Sequence, residues 1–320
     1  MLYIDDQLPH IQLAKKTHIS YITCYINRKI FGKSATTICG DTNCKICKSK
    51  TKKTNISNYL FSILKQIDFK KIPGSSPHEL LKLNSQFNTL YLKARKKISP
   101  KDQDGIKNIF NYDWFIDNNL YNAYDLCTNL KIETCVYCNR LYTSTVITEK
   151  KERIIRPTLD HWFPQAQYPL LALSFYNLIP SCSPCNSSVK HFATFDLSKN
   201  IHPYVDKKIT SDYQLQSIYD KSINTFKVTI DSTNTKIKST LKTMQIPAIY
   251  EHHQSELADL DLLRRKYNKR YLNDLGKLLG AKLTEKEVYR IIFGVEYEDE
   301  NFYKRPLSKL KKDILNLKIK

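Results

Sequence analysis

Glycine is scarce in this chain, with seven among 320 residues, and methionine and tryptophan number two each. So few glycines beside 21 tyrosines exclude a collagen-like or disordered composition and point to a mostly helical protein. No internal repeat is present. No segment approaches the roughly 18 consecutive apolar residues of a membrane span. The opening Met1-Leu2-Tyr3-Ile4-Asp5-Asp6 lacks the basic start and apolar run of a secretory signal. These absences lead to the expectation of a soluble, cytoplasmic protein that does not engage membranes. Acidic residues are also few, 31 against 51 lysines and arginines, for a net charge of +20 and a pI near 9.4. His-Glu-x-x-His is absent, which sets aside a zincin protease. A zinc nucleobase deaminase is set aside as well: Phe163 stands where its glutamate would follow His161, and Ser188 where its last cysteine would stand.

Cysteine, by contrast, is well represented, with nine residues. Under reducing conditions these are better read as metal ligands and buried thiols than as disulfides. Cys135-Val136-Tyr137-Cys138 and Cys182-Ser183-Pro184-Cys185 have the two-residue spacing that lets both sulfurs of a tight knuckle reach one zinc ion. The 43 residues between the pairs exceed a zinc-ribbon gap, so the insert must be an ordered unit of its own. A further group, Cys39, Cys44 and Cys47 with Cys24 upstream, holds one true knuckle and irregular spacing. Whether it binds a second zinc is left open. Cys127 is read as buried.

Caps and periodicity give the organisation. Ser76-Pro77-His78-Glu79 predicts a capping box opening a helix to about Lys97, and Ser99-Pro100 opens another. Apolar residues from Trp114 to Leu126 continue a helical stripe. Leu141 to Ile147 and Arg153 to Leu159 read as a hairpin around the charged Thr148–Glu152 turn. Asn177 to Pro180 form a short strand, and Ser183-Pro184 start a helix. A strand pair is expected around Tyr213–Ile218 and Phe226–Ile230. Leu257, Leu260, Leu263, Tyr267, Tyr271, Leu275 and Leu278 predict one long amphipathic helix from near Glu251. Thr284 to Glu287 form a second capping box, and Pro306 to Leu317 a last helix. The expected class is α+β, mostly helical. Its three parts are a basic helical region 1–129, a central region 130–205 with the zinc knuckles, and a mainly helical basic region 206–320.

Asp160-His161-x-x-Pro164, Asn177-Leu178 and Cys182-x-x-Cys185-Asn186 with Lys190 resemble the HNH endonuclease family, across about residues 130–205. The resemblance implies a zinc-stabilised ββα-metal element that cuts nucleic acid. Ile201-His202-Pro203-Tyr204 and Lys304 to Leu310 look like a subset of bacterial HNH proteins of phage-defence settings. In this reading His161 is the general base, because an imidazole of pKa about 6.5 can take a proton from water at neutral pH. Asp160 and Asn186 are the oxygen ligands of a divalent Mg or Mn ion, and His191 replaces or supplements Asn186, which stands where other members carry a histidine. Asn177 matches the asparagine that fixes the loop presenting the histidine, and Lys190 meets a phosphate oxygen. Cys135, Cys138, Cys182 and Cys185 hold structural Zn.

The basic excess suits a polyanion, since each phosphate neutralised releases counterions. Lysines and arginines gather at Lys48–Lys53, Lys93–Lys97, Arg264–Arg270 and Lys304–Lys312. Arg264, Arg265, Lys269 and Arg270 on the long helix are assigned to nucleic acid, expected to be DNA. The competing reading is a non-catalytic zinc module that binds nucleic acid, for which Asp160 and His161 would be dispensable. A third makes the chain an effector released by a partner ATPase or sensor. His10, His18, His78, His252 and His253 lack ligand partners at sensible spacing and are expected at the surface.

Overall fold

Side chains placed just ahead of the helices decide where most of them begin. In the computed structural model Ser57, Ser99, Asn111, Asn234 and Thr284 each accept a backbone N–H of the helix they precede, satisfying donors that have no partner within the helix. The structure describes all residues except 33–38, 42, 50, 94, 96, 192, 267–268, 279–282, 318 and 320, and leaves aside the side chains of 269, 272 and 273. Lys50, Lys96, Tyr267 and the side chain of Lys269, all singled out above, lie outside the described residues.

The helices are α1 (Pro9–Phe31), α2 (Asn58–Gln66), α3 (Pro77–Lys93), α4 (Pro100–Ile109), α5 (Tyr112–Asp117), α6 (Ala123–Leu130), α7 (Thr235–Thr243), α8 (Ile246–Glu251), α9 (Gln254–Lys266), α10 (Lys269–Leu278), α11 (Glu285–Phe293) and α12 (Ser308–Leu315). The strands are β1 (Val146–Ile147), β2 (Arg153–Ile155), β3 (Thr158–His161), β4 (Leu178–Ser181), β5 (Gln214–Asp220) and β6 (Thr225–Asp231), paired β1–β2, β3–β4 and β5–β6. The fold is therefore α+β and mostly helical, as the composition implied. Both predicted capping boxes are present: Ser76 N–H donates to Glu79 and Thr284 N–H to Glu287.

Three elements differ from expectation, the first two for local reasons. The predicted hairpin is reduced to β1 and β2, and in its second arm Pro157, with no N–H to donate, separates β2 from β3. The stripe from Trp114 to Leu126 splits into α5 and α6: Asn118 Oδ1 accepts the N–H groups of Leu120 and Tyr121, forming a turn, and Asn122 with Asp125 closes a capping box for α6. The helix expected from near Glu251 begins at Gln254, after the separate α8.

The chain divides into two compact units: a first of Asp6–Lys131 and Ile147–Ile179, and a second of Met1–Asp5, Ile132–Val146 and Pro180–Lys320. Residues 130–205 are shared between them. In the first unit an aromatic core forms along α1, with Tyr25 stacked on Trp114 and Tyr21 on Tyr121. Buried Asp102 accepts from Ser57 N and Oγ and from the Tyr91 hydroxyl, so one carboxylate joins the starts of α2 and α4 to α3. In the second unit β5 and β6 run antiparallel from Gln214 opposite Asp231 to Asp220 opposite Thr225. Leu215, Phe226 and Val228 turn into its core, by the two-residue alternation of a half-buried sheet.

Candidate functional site

The first unit holds Asp160, His161 and Asn177. Asp160 and His161 are the last residues of β3, so they project to opposite faces of the strand. Asp160 is 5% exposed and His161 half-buried. His161 Nε2 lies 2.9 Å from the carbonyl oxygen of Ala172. A carbonyl only accepts, so Nε2 carries a hydrogen, and in the neutral form of the ring the lone pair is the one on Nδ1. The ring packs edge-on against Tyr112 at 4.5 Å, and the Tyr112 hydroxyl donates to Leu159 O at 3.1 Å. Burial pushes the Tyr112 hydroxyl above its usual range and so keeps it a donor.

Asn177 is fully buried and clasps the loop that follows β3. Its Oδ1 accepts Phe163 N–H at 2.7 Å, and its Nδ2 donates to Phe163 O at 3.2 Å and Leu171 O at 3.0 Å. Trp162 N–H adds a bond to Asn177 O at 3.0 Å. His18 adds a third anchor, and here the expectation of a surface residue is overturned. It sits on α1 with no exposed surface, walled by Phe115, Tyr121 and Phe175. Its Nε2 donates to Leu173 O at 2.9 Å, and its Nδ1 lies 3.3 Å from the Tyr121 hydroxyl. Burial lowers its pKa from 6.5 to about 4, so the ring is neutral at physiological pH. Three successive carbonyls, Leu171, Ala172 and Leu173, thus accept from Asn177, His161 and His18 in turn. His18 is one of two histidines in the 23-residue α1, and nothing in the local sequence signalled that role for it.

The second unit holds the four paired cysteines. All are buried, their sulfurs lie within 4.8 Å of one another, and Cys138 and Cys182 are 4.0 Å apart. Cys135 N–H bonds Leu141 O, and Asn139 N–H returns to Cys135 O at 2.8 Å, turning the first knuckle with Asn139 at φ +48°. Cys182 follows β4. Cys185 lies on a short helix, Pro184–Lys190, of the wider i→i+5 type throughout, which ends with His191 N–H on Asn186 O. Hydrogen bonds from Cys135, Cys182 and Cys185 hold Cys138 well below the usual thiol range, while the same crowding pushes Cys185 up. Such a cluster has the donor set for one structural metal ion. The knuckle is locked from outside by Asn139, whose Nδ2 donates to Thr134 Oγ1, Phe302 O and Arg305 O, and whose Oδ1 accepts Lys309 N–H.

The remaining candidates also fall in the second unit. Asn186 is half-buried and His191 exposed. Lys190 is 3% exposed, with its ammonium over the Phe195 ring. Arg264 and Arg265 both pair with Asp261, and Arg270 is exposed. Much of the basic segment near the end is engaged internally: Lys309 with Asp313, Lys311 with Glu256, Lys312 with Asp299 and Arg305 with Glu296.

A second four-cysteine cluster lies in the first unit. Cys24 of α1 meets Cys39, Cys44 and Cys47, again with sulfurs within 4.8 Å of one another, Cys39 and Cys47 being 3.9 Å apart. Cys127 is buried apart from both clusters, and burial pushes its thiol up to about 12. Among the described residues no helix is long and apolar enough to cross a membrane.

The chain matches no protein-family model and no solved structure. It is similar to Protein ea31 of Escherichia phage lambda, with 43% identity over 53 residues, 16% of this chain. The matched stretch spans 18% of that protein's length.

Proposed function

We propose that this protein is a metal-dependent endonuclease of the HNH type that hydrolyses phosphodiester bonds in nucleic acid, with DNA as the expected substrate. The observation that carries the reading is the bond from His161 Nε2 to Ala172 O, because it leaves Nδ1 as the basic nitrogen of a histidine held in one tautomer. Asp160 is a hard oxygen donor beside that base, which fits Mg²⁺ or Mn²⁺ better than a thiophilic ion. Asp160 would hold such an ion, which would supply positive charge to offset the negative charge developing on the phosphate.

His161 Nδ1 takes a proton from water, the water oxygen forms its bond to phosphorus, and the phosphorus–O3′ bond breaks. The freed 3′ oxygen then takes a proton from solvent. Asn177 holds Phe163 and Leu171, on either side of the loop that offers Ala172 O, and so keeps the histidine's partner in place. Zinc at Cys135, Cys138, Cys182 and Cys185 is the structural ion of this reading, and the net charge of +20 supports a polyanionic substrate. A role in phage defence, with release by a partner ATPase or sensor, belongs to the same proposal.

The test is cleavage of supercoiled plasmid with Mg²⁺ or Mn²⁺ by wild type and His161→Ala. The variant is expected to lose about 10²- to 10⁴-fold in rate, the usual contribution of a general base. Equal cleavage by both proteins removes His161 from the mechanism. Binding without cutting, with either ion, favours the non-catalytic zinc module.

A further inference from the structure

We infer that Cys24, Cys39, Cys44 and Cys47 form a second tetrathiolate zinc centre, independent of the paired knuckles and of the proposed nuclease chemistry. Tetrahedral zinc with Zn–S bonds of about 2.3 Å places its sulfurs roughly 3.8 Å apart. The 3.9 Å between Cys39 and Cys47 matches that edge, and all four sulfurs lie within 4.8 Å of one another. The separation of a disulfide is about 2.05 Å, and all four thiols are free. Four soft sulfur donors select zinc over the hard ions suited to Asp160.

The chain around the cluster is built for it. Cys24 is fixed in the middle of α1 with no exposed surface, and Cys44 is 5% exposed. Asp41 Oδ1 accepts Asn43 N–H, and Asp41 O accepts Cys44 N–H, so two hydrogen bonds from backbone N–H groups shape the turn carrying Cys44. Lys48 N–H on Cys44 O then makes the tight turn between Cys44 and Cys47. Two contacts hold the loop to the far end of α1: Arg28 donates to Ser49 O at 2.6 Å and Thr54 N–H to Lys29 O at 2.7 Å.

Charge agrees. A zinc ion with four thiolates has a net charge of about −2 by formal count. From Arg28 to Lys53 the sequence holds Arg28, Lys29, Lys33, Lys45, Lys48, Lys50, Lys52 and Lys53 against a single acid, Asp41. That sequence excess of positive charge is opposite in sign to the tetrathiolate ion. The second zinc therefore ties a basic loop to the helix that also carries His18.

The experiment counts metal and needs no enzymatic activity, so its failure is separable from failure of the nuclease reading. Elemental analysis of the native full-length chain is expected to give two zinc ions per chain. Cys39→Ser and Cys47→Ser, both on the half-exposed loop, are each expected to give one. Titration of the wild-type protein with an organomercurial, read with a metallochromic dye, requires no variant and is expected to release two ions. One zinc in wild type, two zinc retained in Cys47→Ser, or iron in place of the second zinc would each overturn the inference.

Discussion

The two four-cysteine clusters use the same ligands and are embedded differently. In the second unit every cysteine is buried, and the first knuckle is tied by Asn139 to Thr134, Phe302, Arg305 and Lys309. Tyr250 adds a hydroxyl bond to Cys138 O. In the first unit Cys39 and Cys47 are only half-buried, and Cys24 and Cys39 help line an open groove of about 690 Å³. There the core is held by aromatic stacking along α1 and by buried polar side chains on backbone carbonyls. Identical donor chemistry can thus be a keystone in one unit and an edge clip in the other, and what surrounds the sulfurs decides which.

The largest expected effect breaks that comparison directly. Structural zinc contributes on the order of 10–16 kcal/mol in small zinc domains, comparable to or above the whole stability of a typical domain, about 5–15 kcal/mol. Cys182→Ser is therefore expected to unfold the second unit, read as loss of its thermal transition and as rapid proteolysis between residues 180 and 320. Cys47→Ser is expected to open only the loop around it, read as new cleavage near residues 39–49 with the rest protected. Equal damage from both substitutions would mean that the embedding does not matter.

How much of this was legible in the sequence follows the distance over which each feature is encoded. Cys135/Cys138 and Cys182/Cys185 announce themselves because two-residue spacing is local. The boxes at Ser76 and Thr284 are legible for the same reason, and the β5–β6 pair through its alternation. The group of Cys39, Cys44 and Cys47 with Cys24 upstream could be named but not decided, because Cys24 meets the other three only once α1 and the returning loop are built. His18 has no local signature, since its partners Tyr121 and Leu173 are 103 and 155 residues away. Lys309 read as one more surface cation, yet it is 4% exposed, with its ammonium on Tyr213 O and Asp313. A charge count does not tell a solvated lysine from one spent inside the core. Of the candidate site, residue types and order were readable; the carbonyl row that orients His161 was not.

Asn177→Ala sharpens the contrast in the first unit. It removes an acceptor from Phe163 N–H and donors from two carbonyls in a fully buried place. Each buried group left unmatched costs about 1–3 kcal/mol, so a loss of about 4 kcal/mol is expected in urea unfolding of the first unit. Cys47→Ser should cost that unit less. A loss below about 1 kcal/mol for Asn177→Ala would show that the loop after β3 does not depend on the clasp.

The smallest effect is a pH dependence from His18. Its folded-state pKa of about 4 lies below the ordinary 6.5 because burial disfavours the charged ring. A depressed pKa means that the unfolded chain takes up the proton first. The stabilisation is fully present above pH 6.5, falls as pH drops toward 4, and is absent below it. At 1.36 kcal/mol per unit this amounts to about 3 kcal/mol. His18→Gln cannot take up that proton, so the first unit of the variant should lose less stability between pH 7 and pH 4 than that of wild type. The second unit, without His18, serves as the internal control. If the first-unit transition of wild type and His18→Gln falls equally with acid, the buried histidine is not what makes that unit acid-sensitive, and the row of three carbonyls is held without it.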